Sequence, residues 1–259
     1  MEEVPDFFKI ETAFNSLHLV RDRGRLELRS HDKALQSVIN LDQPECLELS
    51  NLEHLLSVLL FIAAPERVLM LGTAGGSLLH FLRHHYPETT ITSVDIDAEL
   101  VERLLQLGIL PGADARLNYV HADARQFIDD CDERYDLVIF DIFQGAQTPA
   151  WSQQDWVMQR LYELTASGGA LAFNLLIESD HDFGLFYRNC KRRFDDCSLS
   201  LPVAGLENRV VYGVREPGPT NDMPQNLEAA MALSSRLDID FMRILSVIYN
   251  TNPAGRGLI

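Results

Sequence analysis

Three aspartates and a glycine-rich segment are the residues of this sequence whose types and spacing could do chemistry. Asp95, Asp123 and Asp141 each stand at the end of a short apolar run, and residues 71–77 read LGTAGGS. Carboxylates accept hydrogen bonds from hydroxyl and amino groups and hold cations, and glycines let the backbone approach a ligand closely. In an open α/β sheet, ligands bind outside the carboxyl ends of the strands, so we expect these residues to form one site.

The glycine-rich segment joins a predicted strand over residues 67–71 to a predicted helix over residues 77–86. The nicotinamide fingerprint GxGxxG fits it poorly because Ala74 takes the second glycine position, and Walker-type phosphate binding requires a lysine that the segment lacks. Asp95 follows Gly72 at roughly the 20-residue spacing at which an acidic side chain accepts hydrogen bonds from ribose hydroxyls. The segment and Asp95 together predict a nucleoside site.

Strands and helices alternate from residue 51 onward, and they are the elements that must position the site. The predicted strands are 67–71, 90–94, 117–120, 137–140, 170–173 and 210–214, and the predicted helices are 51–63, 77–86, 98–107, 124–130, 153–164 and 183–193. Near-continuous apolar strands separated by helices indicate a buried parallel sheet with right-handed crossovers. The prediction is therefore a doubly wound, Rossmann-like α/β domain over residues 51–216. Its first helix is expected to be capped by Ser50 or Asn51, and its third by Asp97.

Two further regions flank this domain. Residues 1–50 contain short strand candidates at 8–13, 17–20, 25–29 and 35–41, which predict a small antiparallel β module that is too thin to stand alone. We expect it to cover part of the larger domain. Residues 217–259 begin with a breaker-rich linker and continue as a helical extension over 226–249, in which 238–240 is the place where the helix would break.

Composition limits the function classes. The 259 residues are 46% hydrophobic, and 38 acidic against 22 basic residues give a formal charge of −16. Such a chain is globular, and its charge repels phosphate backbones and anionic lipid, so we expect neither nucleic acid nor a membrane as a partner. The longest apolar run is too short to span a bilayer, no secretory signal is visible, and the four cysteines form no CxxC pair. These features predict a cytoplasmic protein.

Other motifs carry less weight. His80 and His84 stand four residues apart in a predicted helix, but no third ligand accompanies them, so we expect no metal. Ser152 and Ser167 lack a GxSxG context, which argues against a hydrolase.

The glycine-rich segment, Asp95, the Asp123-Ala124 pair and Asp141 together resemble class I S-adenosylmethionine-dependent enzymes. Among these, the chain most resembles the spermidine synthase-like aminopropyltransferases. The stretches that carry this resemblance are 35–37, 71–78, 94–97, 122–124, 135–141, 143–149, 168–169 and 173–175. The resemblance extends to about Arg215 and implies the class I methyltransferase type of fold, preceded by a small β module.

The resemblance also implies roles for individual residues. Asp141 matches the catalytic aspartate of the family, which faces the attacking amine. The residues that would bind the sulfonium nucleoside are Gln36 from the β module, Gly72 and Gly76 at its border, Asp95 with Ile96 at its ribose, and Asp123 with Ala124 at its adenine. We expect no metal ion to take part.

This arrangement suits the implied chemistry. An aliphatic amine has a pKa of about 10 and is protonated at neutral pH, so it cannot attack carbon until a group such as a carboxylate binds it and takes its proton. The resemblance therefore implies transfer of an aminopropyl group from decarboxylated S-adenosylmethionine to a polyamine-type amine, with methylthioadenosine as the leaving group.

Three positions depart from the family pattern and leave alternatives open. Gln144 stands where the family has a second aspartate, and Gly75 stands where it often has an aspartate in the glycine-rich segment. Ser50-Asn51 takes the place of a Tyr-His pair. Each of these losses weakens recognition of a diamine. A methyltransferase that uses S-adenosylmethionine itself is one alternative, and a non-catalytic nucleoside-binding relative is the other. The resemblance implies a homodimer, which the apolar C-terminal helix would allow.

Overall fold

Two β-sheets with flanking helices make up the described part of the chain. The computed structural model describes residues 7–31, 34–145, 147–176, 179–195, 197–215 and 223–252. The strands are β1 (Phe7–Glu11), β2 (Ser16–Asp22), β3 (Arg25–Ser30), β4 (Leu35–Asn40), β5 (Arg67–Leu71), β6 (Thr90–Asp95), β7 (Leu117–His121), β8 (Tyr135–Phe140), β9 (Thr165–Leu175), β10 (Ser198–Pro202) and β11 (Arg209–Val214). The α-helices are α1 (Ser50–Leu56), α2 (Ser77–His85), α3 (Ala98–Gln106), α4 (Ala124–Asp130), α5 (Asp155–Leu164), α6 (Asp180–Arg193), α7 (Met223–Leu237) and α8 (Phe241–Thr251).

The N-terminal strands form a four-stranded antiparallel sheet in the order β1-β2-β3-β4, as predicted. This sheet is fastened to the larger part by polar side chains. The Thr12 hydroxyl and the Asn15 amide donate to Asp97 Oδ2 at 2.5 and 2.6 Å. The Ser77 hydroxyl donates to the backbone carbonyl of Val38 at 2.9 Å. These bonds hold the β module against the turns that follow β5 and β6.

The second sheet has seven strands in the order β10-β11-β9-β8-β5-β6-β7. The pairs among β5 to β9 are parallel, which confirms the predicted doubly wound α/β fold. Strand β11 was expected to join this parallel sheet, and that expectation is wrong, because β11 pairs antiparallel with β9 and β10 pairs antiparallel with β11. Strand β10 was missed because its serines interrupt the apolar pattern, although both are buried.

Helices cover both faces of this sheet because successive strand residues point to opposite sides. In β5, Val68 and Met70 join an apolar core with residues of α1, α2 and α3. Leu69 and Leu71 join a second core with residues of α4, α5 and α6. Burial on both faces explains why the strand reads as a continuous apolar run.

The helix ends differ in detail from the predictions. Leu49 is the N-cap residue of α1 and makes no side-chain cap hydrogen bond, so the predicted capping by Ser50 or Asn51 is wrong. Asp97 caps α3 as predicted, accepting from the Leu100 N–H at 3.0 Å. The C-terminal extension contains two helices, and Asp240 caps the second by accepting from the Arg243 N–H at 2.9 Å.

Some predictions lie beyond the part of the chain that the structure describes, or are not tested by it. Residues 216–222, which include the predicted linker, and residues 253–259 are outside it. The division of the chain at residues 50 and 216 stays a prediction. Across the described ranges, no helix is both long and apolar enough to cross a bilayer.

Candidate active site

A cavity of about 650 Å³ lies at the carboxyl ends of the parallel strands. Each of these strands contributes a lining residue at or just after its end, namely Gly72, Asp95, Asp123, Asp141 and Leu176. The β module supplies further lining residues, among them Phe14, Asn15, Leu35 and Gln36. This volume and position are those of a small-molecule site in an open α/β sheet.

The structure brings nearly all of the predicted site residues together. The ones that line the cavity are Gln36, Gly72, Asp95, Ile96, Asp123, Ala124 and Asp141. Gly76 is not among the lining residues. It begins α2 with φ +86°, and a Cβ there would overlap the Leu110 side chain, so this glycine shapes the turn behind the cavity.

The glycine-rich segment allows three parts of the chain to approach one another closely. Gly72 has φ +97°, and a Cβ there would overlap the backbone oxygen of Asp141. A Cβ on Gly75 would overlap the Ser37 side chain of the β module. Gly75 was identified as a departure from the family pattern, and the packing of Ser37 gives the physical reason for a residue without a side chain at this position.

Asp95 ties the glycine-rich segment to the end of β6. Its Oδ2 accepts from the Thr73 N–H and its Oδ1 from the Asp97 N–H, both at 2.9 Å. Burial raises the pKa of Asp95, and the backbone N–H groups of Asp97, Thr73 and Ala74 oppose that rise by favouring the carboxylate. Each carboxylate oxygen has a second lone pair, so Asp95 can still accept hydrogen bonds from a ligand in the cavity.

Asp123 is the N-cap residue of α4, which follows β7, the strand beside β6. It caps this helix by accepting from the Arg125 N–H at 2.8 Å, and it is exposed. The next residue, Ala124, is buried and lines the cavity. Asp123 therefore provides hydrogen-bond acceptors at the exposed edge of the cavity, beside a small buried residue.

Asp141 is held by a relay of two amides. The Asn174 side chain, at the end of β9, donates to Asp141 Oδ1 at 2.9 Å, and its own oxygen accepts from the Asn208 amide at 3.0 Å. Burial raises the pKa of Asp141, and the hydrogen bond from Asn174 opposes that rise. A fixed carboxylate with a raised pKa can bind a cation and also accept a proton.

Asn174 and Asn208 were not singled out as functional residues from the sequence. The available signal for Asn174 is a polar residue in an otherwise apolar strand, and in the structure it is completely buried. Asn208 follows the turn between β10 and β11, and no local pattern associates it with Asp141.

Leucines and amides line the cavity on the β9 side of Asp141. We call this set the leucine–amide wall, and it comprises Leu49, Asn51, Leu52, Leu176, Leu206 and Asn208. These residues come from the start of α1, the end of β9 and the β10–β11 turn, and α1 packs against β9 and β11. The Oδ1 atom of Asn51 is buried and has no hydrogen-bond partner.

The loop after β8 borders the wall. Gln144, which lines the cavity, donates its backbone N–H to the Gln147 carbonyl at 2.9 Å. The Thr148 hydroxyl accepts from the Leu176 N–H at 2.7 Å and ties this loop to the end of β9. The loop therefore presents a neutral amide side chain three residues after Asp141.

Within the described ranges, no group of three or more His, Cys, Asp or Glu side chains could hold a metal ion. The ring of His80, one of the two histidines considered for zinc, donates from Nε2 to the Ile109 carbonyl at 2.7 Å.

Comparison with known proteins first identifies the class of this fold. The structure of human methyltransferase-like protein 13 in complex with SAH matches with a TM-score of 0.62 at 23% identity, covering 73% of this chain and 89% of that chain. A probable spermidine synthase from Corynebacterium glutamicum matches with a TM-score of 0.75 at 20% identity, covering 89% of this chain and 88% of the other. The fold is therefore of the class I methyltransferase type, as predicted.

Comparison of sequences points to one family in particular. A model of the spermine/spermidine synthase domain matches residues 48–168. Polyamine aminopropyltransferase from Neisseria meningitidis is 25% identical over 244 residues, which cover 94% of this chain and 88% of the relative. These matches support the spermidine synthase-like family for this chain and indicate a transferase.

Proposed function

We propose that the protein transfers an aminopropyl group from decarboxylated S-adenosylmethionine to a small amine. The observation that carries this proposal is Asp141, a carboxylate fixed by Asn174 in the same cavity as Asp95 and Asp123. A nucleoside-type site beside an isolated proton acceptor suits the attack of an amine on a sulfonium donor. The names of the family relatives support aminopropyl transfer.

The donor would occupy the part of the cavity between β5 and β7, which we call the donor side. Asp95 would accept from the ribose hydroxyls, with Ile96 packing beside it, and Asp123 would accept from the adenine amino group over Ala124. Gly72 would let the nucleoside approach the backbone, and Gln36 would reach over the donor from the β module. All six residues line the cavity.

The amine would enter beside Asp141, on what we call the acceptor side. The Asp141 carboxylate binds the ammonium and takes one proton from it. The freed lone pair forms a bond to the propyl carbon next to sulfur, while the electron pair of the carbon–sulfur bond leaves with sulfur as neutral methylthioadenosine. The product is a secondary ammonium, and Asp141 returns its proton to solvent. Alignment of the two substrates supplies much of the remaining rate enhancement.

Methyl transfer from S-adenosylmethionine to an amine is the second candidate. The neutral side chains of Gln144 and Asn51 on the acceptor side favour it, because a polycation finds no charge at these two positions. The nucleoside contacts would be the same for both donors, and Asp141 would take the same proton.

Binding and product analysis test both candidates. Calorimetry with decarboxylated S-adenosylmethionine, S-adenosylmethionine and methylthioadenosine measures donor affinity, and we expect the decarboxylated donor to bind more tightly than S-adenosylmethionine. Mass spectrometry of products from a panel of amines then separates aminopropylated from methylated amines. Methylated products alone would replace the first candidate with the second. If none of the three nucleosides binds, both are wrong.

A further inference from the structure

The acceptor side has a distinct composition. Four leucines and two asparagines form the leucine–amide wall, and the carboxylate of Asp141 lies where this wall meets the donor side. A molecule bound by Asp141 and extending away from the donor therefore passes along leucine side chains. The protein's overall charge of −16 attracts cations to the surface in general and does not by itself favour one amine over another.

The amides of the wall are neutral acceptors. Asn51 Oδ1 is buried without a partner, and Asn208 donates to Asn174 through its amide nitrogen, a bond that leaves its own oxygen as an acceptor. An amide oxygen can accept one hydrogen bond from an amine or hydroxyl group, but it cannot balance an ammonium charge that has lost its water. A second ammonium on the acceptor would thus be desolvated against leucines without a counter-charge from the wall.

The rim of the wall is apolar as well. Leu206 is 48% exposed, although large apolar side chains are usually more buried. An alkyl or aryl group that lies against Leu176 and Leu206 would remove this surface from water, which stabilises the bound state.

We propose that the acceptor is an amine with a single ammonium group and an apolar body, such as an alkylamine, in contrast to a diamine. This inference rests on the proposed function for the group that is transferred. The ammonium binds Asp141 and loses one proton to it, and the apolar body packs against the leucine–amide wall. The bond changes are those given above for aminopropyl transfer.

Matched amines test the proposal directly. The full chain is assayed with decarboxylated S-adenosylmethionine and with two pairs of equal length, n-butylamine against 1,4-diaminobutane and n-hexylamine against 1,6-diaminohexane. Mass spectrometry measures kcat/KM for each product. We expect each monoamine to exceed its diamine at least about tenfold. Equal or higher kcat/KM for the diamines overturns the proposal and leaves aminopropyl transfer intact.

Added charge on the wall provides a second test. Leu206→Asp should move the preference at least about tenfold toward the diamines, because the new carboxylate balances the second ammonium. Leu185→Asp is the matched control, since Leu185 is 49% exposed on α6 and does not line the cavity. It should leave the ratio of the two kcat/KM values unchanged. A Leu206→Asp enzyme that binds methylthioadenosine normally but keeps the wild-type ratio contradicts the role of the wall.

Asn51→Asp repeats the test at the buried end of the wall and should move the ratio in the same direction. Calorimetry with methylthioadenosine distinguishes a failure of the proposed function from a failure of the inference about the acceptor. If the wild-type chain binds no nucleoside, the proposed function fails and takes this inference with it. If it binds the nucleoside and prefers diamines, only the inference about the acceptor fails.

Discussion

On the donor side of the cavity, Asp95 and Asp123 accept hydrogen bonds from backbone N–H groups of the turns that follow β5, β6 and β7. On the acceptor side, Asp141 is held by the side chain of Asn174, which in turn accepts from Asn208. The first arrangement uses backbone N–H groups of the same strand–helix turn or of the neighbouring one. The second joins side chains that lie more than 30 residues apart in sequence.

This difference predicts that substitutions in the two halves of the cavity have different effects. Backbone N–H groups do not depend on the side chain that carries them, so the donor side persists as long as the turns fold. A side-chain relay and a wall of leucines change with any of their members. We therefore expect substitutions on the acceptor side to alter rate and selectivity while donor affinity stays constant, and substitutions on the donor side to do the reverse.

The largest effect is expected for Asp141→Asn. The amide oxygen can still accept from Asn174, but the side chain can no longer accept the proton of the amine, so kcat should fall about 10³-fold. Methylthioadenosine affinity, measured by calorimetry, should stay within about twofold of the wild type. Asp130→Asn, at the exposed end of α4, is the control and should leave both values unchanged. A kcat close to that of the wild type would remove Asp141 from the mechanism.

Asp95→Asn should show the opposite pattern. An amide in this place has only one oxygen, so it cannot accept from both the Thr73 and Asp97 N–H groups and still bind ribose. Hydrogen bonds to charged groups contribute about 1.5–3 kcal/mol, which predicts about 30-fold weaker binding of methylthioadenosine by calorimetry. At saturating donor, kcat should change much less.

Asp123→Asn is the comparison for this variant. Asp123 is exposed and caps a helix with one backbone bond, so its loss should weaken binding only about threefold. An Asp95 variant that binds the nucleoside as well as the Asp123 variant would contradict the proposed ribose contact.

The contrast between the two halves also explains what the sequence could predict. Asp95, Asp123 and Asp141 were found because each ends an apolar strand, and parallel strands must end at one edge of a sheet. The glycine-rich segment was found because a close approach of backbones excludes side chains. These are local patterns, and they also predicted the parallel strands and the helices on both faces of the sheet.

The acceptor side could not be predicted in the same way. The wall is assembled from the start of α1, the end of β9 and the β10–β11 turn, and their proximity depends on the antiparallel placement of β11. The sequence predicted β11 as one more parallel strand, and a parallel β11 would place the β10–β11 turn at the opposite end of the sheet. Asn208 would then lie far from Asn174, so their hydrogen bond could not be predicted without the topology.

A smaller effect than those at Asp141 and Asp95, and the sharpest test of the relay, is expected for Asn174→Leu. The hydrogen bond from Asn174 favours the charged form of Asp141, so its loss should raise the pKa of Asp141 further above the ordinary value. Because the base must be deprotonated to accept a proton, kcat falls as pH drops through this pKa, and the acid limb of the profile should move to higher pH. Near the limb, kcat should fall about threefold to tenfold.

The same pKa shift has a consequence for stability. A carboxyl whose pKa is raised by folding is held more tightly as the protonated form, so its contribution to folding is present at low pH and is lost as pH rises through the folded-state pKa. Asn174→Leu should therefore lower the melting temperature more at neutral pH than at acid pH. Asn118 is exposed on β7 and does not line the cavity, so Asn118→Leu is the control. It should change neither the acid limb of the kcat profile nor the pH dependence of the melting temperature. A variant that is merely less stable, with an unshifted limb, would show that Asn174 only packs in the core and does not tune Asp141.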